Sequence, residues 1–420
     1  MNLPKREPIL LENVLILNPG EPPRRTNIYV EEDYIAGLGS ESYPKHGIVI
    51  DASKYTVTPG LYASHTHLGL YPVSKIIGEW IHLDEWAEKI AWKWEPHLSP
   101  EDSKNAAIMA VYDYLSKGIV GVADMHFNMD AVAEVIYHSG IRGNLSVAIM
   151  NRSFYNDEWK ALKDNLELVS KWHNRDNKRI ITSLGPCSIR LVSRELLDEV
   201  ARIKNEKSLG VHMHIAEVYD DEKYCTDNYG ASLVEFLYQR GILGEKTILA
   251  HGVWLSSKEI ELLSIFKSTI IHNPITNMLL GSGIAKIREM IDRNVNVAIG
   301  LDVSPTQNLF DEIFTALLAS RLRRTPISVV EAYKLATINS SKVFNVKIGI
   351  VREGFKADII VWDTRSKRIE DLILEKPRPY YIIVDGRILV NEGEIVSIDR
   401  KEYLKAKTRI MSRVGEIFGI

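Results

Sequence analysis

At 420 residues the chain is longer than one average domain, and it suits a large enzyme-sized domain carrying a smaller accessory. Its 52 Lys and Arg against 55 Asp and Glu leave a formal net charge of -3, which gives no overall basic field for nucleic acid or an anionic membrane and favours a small-molecule partner. Cys187 and Cys225 are too few for a disulfide framework in a chain of this length, so a reducing cytoplasm is the expected setting.

The opening Met1-Asn2-Leu3-Pro4-Lys5-Arg6-Glu7-Pro8 carries charge and proline but no following apolar run, so it does not read as a signal peptide. No later run has the length and apolarity of a bilayer helix, and no membrane partner is expected. Short β segments follow at Asn13 to Leu17, Thr26 to Val30 and Tyr34 to Leu38, interrupted by the turn-forming cluster Asn18-Pro19-Gly20-Glu21-Pro22-Pro23. The far end has the same texture. Ala357 to Trp362, Tyr380 to Val384 and Arg387 to Val390 alternate with turn-formers such as Asp385-Gly386 and Glu392-Gly393. Both ends therefore read as one small β domain that brings the termini together around a separate centre.

In that centre, short apolar runs alternate with amphipathic helical stretches. The candidate strands are Thr56 to Tyr62, Val120 to Ala123, Leu145 to Ile149, Ile180 to Leu184, Gly210 to Met213, Thr247 to Ala250, Thr269 to Ile271 and Val295 to Ile299. Eight such units predict an α/β fold of the (β/α)8 TIM-barrel type. The expected division is residues 1–55 and 348–420 for a β-sandwich ending in a terminal helix, and 56–347 for the barrel. After the first barrel strand, Trp86, Ile90 and Trp94 recur at helical spacing, which predicts a packed helix face. The segment from Trp80 to Trp94 is a candidate lid or subunit contact, the latter in a homo-oligomer.

Reactive groups in such a barrel gather at the C-terminal ends of the strands. Here His65 and His67 close the first strand, Asp124 and His126 the second, His214 and Glu217 the fifth, His251 the sixth, His272 the seventh and Asp302 the eighth. Alternate residues of an extended segment share a face, so His65 and His67 can meet one ion while Thr66 points away. By the same alternation His212 and His214 share a face, and the residues alone permit either or both as ligands. A carboxylate such as Asp302 at the end of a buried strand is costly unless it is paired or ligated.

Assembled, these motifs resemble the amidohydrolase superfamily, in particular its subgroup of methylthioadenosine/S-adenosylhomocysteine deaminases, guanine deaminases and triazine hydrolases. The resemblance runs from about Leu11 to about Gly393. It is carried by Thr58-Pro59-Gly60-Leu61-Tyr62-Ala63-Ser64-His65-Thr66-His67, by Val122-Ala123-Asp124-Met125-His126-Phe127 and by His214-Ile215-Ala216-Glu217. Further on come Leu249-Ala250-His251-Gly252-Val253-Trp254-Leu255, His272-Asn273-Pro274-Ile275-Thr276-Asn277, Gly300-Leu301-Asp302 and the returning Val351 to Val361.

The resemblance implies one divalent metal held by His65, His67, His214 and Asp302, with His212 a bystander. Zinc is expected, and iron, cobalt or manganese would suit the same donors. Leu184-Gly185-Pro186-Cys187 ends the fourth strand where binuclear relatives carry a carboxylated lysine, so a mononuclear site is expected. Such an ion lowers the pKa of a water toward neutrality. The resemblance makes Glu217 the acid/base that protonates a ring nitrogen, His251 the group that orients or deprotonates the water, and Asp302 the shuttle to the leaving group. Glu95, Cys187 and Glu217 are the expected substrate contacts. Glu95 falls where the subgroup places a glutamate on ribose hydroxyls, whereas Cys187 replaces the histidine by which its nucleoside deaminases contact substrate, and this counts against an adenosine-type ligand. Arg152 and Arg190 lie near the right strands but in no matching motif. Asp124 and His126 are expected to line the pocket, and His272 and Asn277 to be structural.

The activity implied is hydrolytic deamination of an N-heterocycle such as a nucleobase, nucleoside or triazine. Its rivals are the same machinery with chloride or alkylamine as leaving group, and cyclic-amide opening of the imidazolonepropionase kind. A non-catalytic scaffold is opposed by the completeness of the ligand set and of Glu217.

Overall fold

The computed structural model describes residues 3–39, 43–44, 46–80 and 82–420; Met1 and Asn2 of the opening segment, and Ile81 within the Trp80–Trp94 stretch, lie outside the described residues. The N-terminal strands are β1 (Ile9–Ile16), β2 (Arg24–Glu31), β3 (Tyr34–Gly39), β4 (Ile48–Asp51) and β5 (Thr56–Pro59). Next come β6 (Leu61–Thr66), β7 (Ile119–His126), β8 (Arg142–Val147), β9 (Ile180–Leu184), β10 (Gly210–Ile215), β11 (Thr247–His251), β12 (Thr269–His272) and β13 (Asn296–Ile299). The C-terminal strands are β14 (Ile359–Trp362), β15 (Pro379–Val384), β16 (Arg387–Asn391) and β17 (Glu394–Ile395).

Strands β6 to β13 form one parallel sheet in sequence order, with helices between successive strands. The strands are nearly continuous buried apolar runs, as a parallel sheet covered on both faces requires. Thr66 meets Asp302 in a parallel bridge, and the amides of Leu301 and Asp302 both donate to His65 O, at 2.9 and 3.0 Å, across the seam between β13 and β6. The sheet is thus a nearly closed eight-stranded barrel. The two chain ends build a separate nine-stranded mixed sheet in the order β17-β16-β15-β14-β5-β1-β2-β3, with β4 also on β1. That sheet has its own core, including Leu11, Val14, Ile28, Val57, Ile359 and Ile383.

The expected first barrel strand, Thr56 to Tyr62, divides. Thr56–Pro59 runs antiparallel to β14 in the mixed sheet, and only the part from Leu61 onward enters the barrel. The break falls at Gly60, where an added Cβ would stand 2.3 Å from Val120 Cγ2, so the backbone turns only by coming closer to β7 than any side chain allows. Four residues counted with the barrel by pattern therefore pair with the end sheet.

Barrel and mixed sheet are joined by a buried ionic cluster. Arg142, fully buried at the start of β8, donates from Nε and Nη2 to Asp358 at 2.5 and 2.8 Å and from Nη2 to Asp385 at 3.0 Å. Tyr62 Oη donates to Asp358 at 2.7 Å, and Arg387, Lys356 and Arg6 surround Asp385. The last helix, Arg400–Phe418, returns to pack on Pro100–Leu115, with Tyr403 stacked on Tyr112 at 4.0 Å. No helix among the described residues is long and apolar enough to cross a membrane.

The segment after β6 folds over the barrel mouth as Leu83–Trp86, a single π-turn at Ala87–Ala91 and the short helix Trp92–Trp94. Trp86, Ile90 and Trp94 all point inward and are buried, and Trp94 Nε1 donates to Gly69 O at 2.8 Å. This is the packed face that the spacing predicts, and Trp86 and Trp92 form part of a cavity wall.

Candidate active site

The strand ends open into a cavity of about 290 Å³, near the lower bound for pockets that take drug-sized ligands. His67, His214, Glu217, His251 and Asp302 line its floor, and Glu95, His126, Cys187, Arg152 and Arg190 line its walls. Leu83, Trp86, Ala87 and Trp92 of the covering segment supply an apolar side. Asp124 does not line it: its carboxylate accepts from Thr66 Oγ1 at 2.8 Å and from Leu68 N at 2.7 Å, pinning the turn after β6. Burial raises the Asp124 carboxyl to about 6. His272 lies outside this cavity, and burial lowers its imidazole to about 3.

Four imidazoles converge, and their outward nitrogens are spoken for. His67 Nδ1 donates to Met125 O at 2.6 Å, and His214 Nδ1 donates to Cys187 O at 2.7 Å. His251 Nδ1 donates to Asn277 Oδ1 at 2.8 Å. For His65 the chain runs through His212. Ser146 Oγ gives its hydrogen to Asp124 O and so accepts from His212 Nδ1 at 3.5 Å, which leaves His212 Nε2 to accept from His65 Nδ1 at 2.8 Å. His212, expected to be a bystander, is therefore the partner that orients His65.

A neutral imidazole has one N–H, so with Nδ1 donating each Nε2 carries a lone pair. Burial is the main force keeping three of these rings neutral: it holds His65 and His67 well below the usual imidazole range and His214 near 3, with the neighbouring histidines adding to it. Two lone pairs, His67 Nε2 and His214 Nε2, then face each other at 3.2 Å. Asp302 Oδ1 lies 3.4 Å from His67 Nε2 and 3.9 Å from His65 Nε2. His65 Nε2 and His251 Nε2 are buried without hydrogen-bond partners. Acceptors so close together, with no donor between them, are stable only around a cation. Tetrahedral zinc, with bonds of 2.0–2.1 Å, holds its nitrogen ligands about 3.4 Å apart, and these spacings bracket that value. By geometry His65, His67 and His214 form one candidate metal cluster, and His65, His251 and Asp302 another that shares its first member. The donors present therefore fit a divalent ion.

Glu217 and His251 stand beside that cluster. Glu217 Oε2 is 3.3 Å from His251 Nε2, which is 3.7 Å from Asp302 Oδ2. Burial, reinforced by Asp221, pushes the Glu217 carboxyl up to about 8, while the Ser282 hydroxyl at 3.4 Å pulls the other way. A carboxyl so placed holds a proton at neutral pH. Burial likewise raises Asp302 to about 7, against the pull of His251. Ala216, His251 and Asp302 take left-handed φ values of 44°, 76° and 48°, strained for residues with a side chain and concentrated at three strand ends.

Glu95, an expected substrate contact, is buried in the cavity wall. It accepts from Ser153 Oγ and stands 3.5 Å from His126 Nε2. Cys187 presents a buried thiol 3.7 Å from His214 Nδ1, and burial keeps it protonated by raising its pKa. Arg190 is engaged by Asp84 of the covering segment and by Asp221, whose Oδ2 accepts from the amides of Glu217 and Val218. Arg152 stacks over Trp92 at 4.8 Å. Asn277, expected to be structural, is the residue the sequence undervalued. Its signal is the His-Asn-Pro-Ile-Thr-Asn run itself, in which the short helix Pro274–Leu279 aims Asn277 back at His251.

The amidohydrolase family model matches residues 56–389. The 5-methylthioadenosine/S-adenosylhomocysteine deaminase of Thermoanaerobacter pseudethanolicus is 31% identical, over 93% of this chain and 95% of its own length. The 5'-deoxyadenosine deaminase of Methanothermobacter thermautotrophicus is 28% identical over 94% and 96%. Among solved structures, a zinc-containing adenosine deaminase from Xanthomonas campestris superimposes with a TM-score of 0.89 at 19% identity, covering the whole of both chains, and shares the fold.

Proposed function

The chain belongs to the amidohydrolase family, and from that premise we propose that its cavity deaminates an adenosine-type nucleoside, replacing the exocyclic amine of the ring with oxygen and releasing ammonia. Metal-dependent hydrolysis of a carbon–nitrogen bond in an N-heterocycle is the activity at the level of the family. One divalent metal, zinc in this reading, would be held by His65, His67, His214 and Asp302. No lysine lines the cavity among the described residues, which favours a single ion. The ion, when bound, supplies a water acidified toward neutrality.

The chain's own groups handle the protons. Glu217, protonated at neutral pH, gives its proton to the ring nitrogen beside the carbon under attack. His251, its Nδ1–H fixed on Asn277, offers the Nε2 lone pair to the attacking water. Asp302 Oδ2, 3.7 Å from that nitrogen, passes the proton on to the departing amine. The apolar lid residues exclude solvent from the ring. The Glu95 carboxylate accepts only, and so suits a pair of ribose hydroxyls.

The observation that carries the reading is the pair of facing lone pairs on His67 and His214 beside Asp302. Cys187 favours a second reading, in which the same machinery expels chloride or an alkylamine from a ring that needs no hydrogen bond at that edge. The test is ammonia release from 5'-deoxyadenosine, methylthioadenosine, S-adenosylhomocysteine, guanine, pterins and amino-triazines, with chloride release from chlorotriazines measured alongside. Ammonia from the nucleosides, with KM raised by Glu95→Gln for nucleosides but not for free adenine, is the expected result. Chloride release or ring opening without any ammonia would overturn deamination.

A further inference from the structure

The helix that follows β13, Leu309–Leu322, is apolar on two faces. Leu309, Phe310, Ile313, Ala316 and Leu317 are buried against the barrel. On the opposite side Phe314, Leu318 and Leu322, each one turn further on, are 41%, 51% and 75% exposed, and Leu374 of the neighbouring helix Ile369–Glu375 adds a fourth side chain at 64%. Other outer helices of the barrel show what water requires there. On Arg194–Lys207 the outward groups are Glu199, Arg202 and Glu206, paired with one another, and on Glu158–Trp172 they include Lys160 with Asp164 and Lys163 with Glu167. A helix apolar all round is ordinarily a buried helix, and a contiguous apolar patch on a protein surface marks a contact.

Charge says what covers it. Among the described residues, Arg321, Arg323 and Arg324 at the C-terminal end of the stripe have no ion-pair partner, whereas the N-terminal end carries Asp311, paired with Lys376, and the adjacent, unpaired Glu375. The stripe thus ends in three unpaired arginines on one side and in the unpaired Glu375, beside the Asp311–Lys376 pair, on the other, and is apolar between. Such a strip is complementary to itself when turned end for end, which is the requirement of a two-fold symmetric contact. We propose that a second copy of this chain packs here, with the Leu309–Leu322 helices antiparallel and the two-fold axis passing at Leu318. Leu322 of one copy then covers Phe314 and Leu374 of the other, and the arginines of each meet Glu375 of its mate. The Trp80–Trp94 segment, also a candidate subunit contact by sequence, instead has Trp86 and Trp92 in the cavity wall and Trp80, Ile90 and Trp94 buried.

The axis gives a sharp test, because a residue on a two-fold axis faces its own symmetry mate. Both native cysteines are buried, so Leu318→Cys introduces the one accessible thiol. Light scattering during gel filtration of the full chain should give twice the chain mass for the native protein and the single-chain mass for Leu318→Asp, with unchanged circular dichroism. Leu318→Cys should form an intermolecular disulfide under mild oxidation, and Lys160→Cys, on another outer helix, should not. A monomeric native protein, a dimer that survives Leu318→Asp, or cross-linking as fast at position 160 as at 318 would each overturn the proposal.

Discussion

Replacing Glu217 by glutamine separates proton transfer from everything else the site does. The amide has the same size, keeps an oxygen to accept from Ser282 and keeps a polar group 3.3 Å from His251, but it cannot deliver a proton to a ring nitrogen. A positioned general acid contributes about 10²–10⁴ in rate, so kcat should fall by that factor, equivalent to about 2.7–5.5 kcal/mol of barrier. Stability should rise if it moves at all, because the buried carboxyl must take up a proton on folding at neutral pH and the amide need not. An altered hydrogen bond is worth about 1 kcal/mol. At about 2.1 cal/mol/K per residue, the 420 residues set an unfolding entropy near 0.9 kcal/mol/K, so Tm should not fall by more than about 1–2 °C. The assay is single-turnover ammonia release, with metal content and Tm measured on the same preparation. A loss smaller than about fivefold, or a loss accompanied by departure of the metal, would refute the assignment of Glu217 as the acid.

Removing one donor should empty the metal site: His67→Ala is expected to lose stoichiometric metal by elemental analysis and activity with it, and added zinc should restore neither at native affinity. Arg142→Met leaves Asp358 buried without its guanidinium, a class of change that costs about 3–5 kcal/mol, so Tm should drop by about 3–6 °C in calorimetry while KM is unchanged. Glu222 is a pH-dependent weakness one residue beyond Asp221, which lines the cavity. Burial and the facing Glu259 push its carboxyl up to about 8, so the folded state keeps a proton that the unfolded chain releases at its ordinary, lower value. Stability therefore falls as pH rises through that window. Glu222→Gln, which retains an acceptor for Leu233 N, should match the native Tm near pH 5 and exceed it near pH 9.

How much of this was legible in the sequence depends on whether side chains or main chain do the work. The barrel was legible because its strands are short apolar runs, six of the eight ending in a polar group, and His65, His67, His214, Glu217, His251 and Asp302 were found at those ends. The split at Gly60 was hidden, since an extended run looks the same whether its neighbour is β7 or β14 and only packing against Val120 decides. The acceptors that aim two of the rings are carbonyls, Met125 O and Cys187 O, and a carbonyl leaves no mark in a sequence. Glu95 was legible only through the resemblance, because its burial brings it beside Ser153 and His126, which are far from it in the sequence.

The seam of the barrel ties these observations together. The two strands that close it, β6 and β13, are the first and last of the sheet, and each ends in a candidate ligand, His65 and Asp302. Asp302 N donates to the carbonyl of His65, and its left-handed φ of 48° is what turns its carboxylate back toward the histidines instead of along the strand. Gln307 holds the resulting turn by donating from Nε2 to Asp302 O at 3.2 Å and Ser304 O at 2.7 Å, and its Oε1 accepts from Tyr114 Oη on Pro100–Leu115. A strained residue persists only where its surroundings over-determine it. Here the hydrogen bonds that close the barrel are also those that fix the strained ligand, so the fold cannot relax Asp302 without opening its own seam.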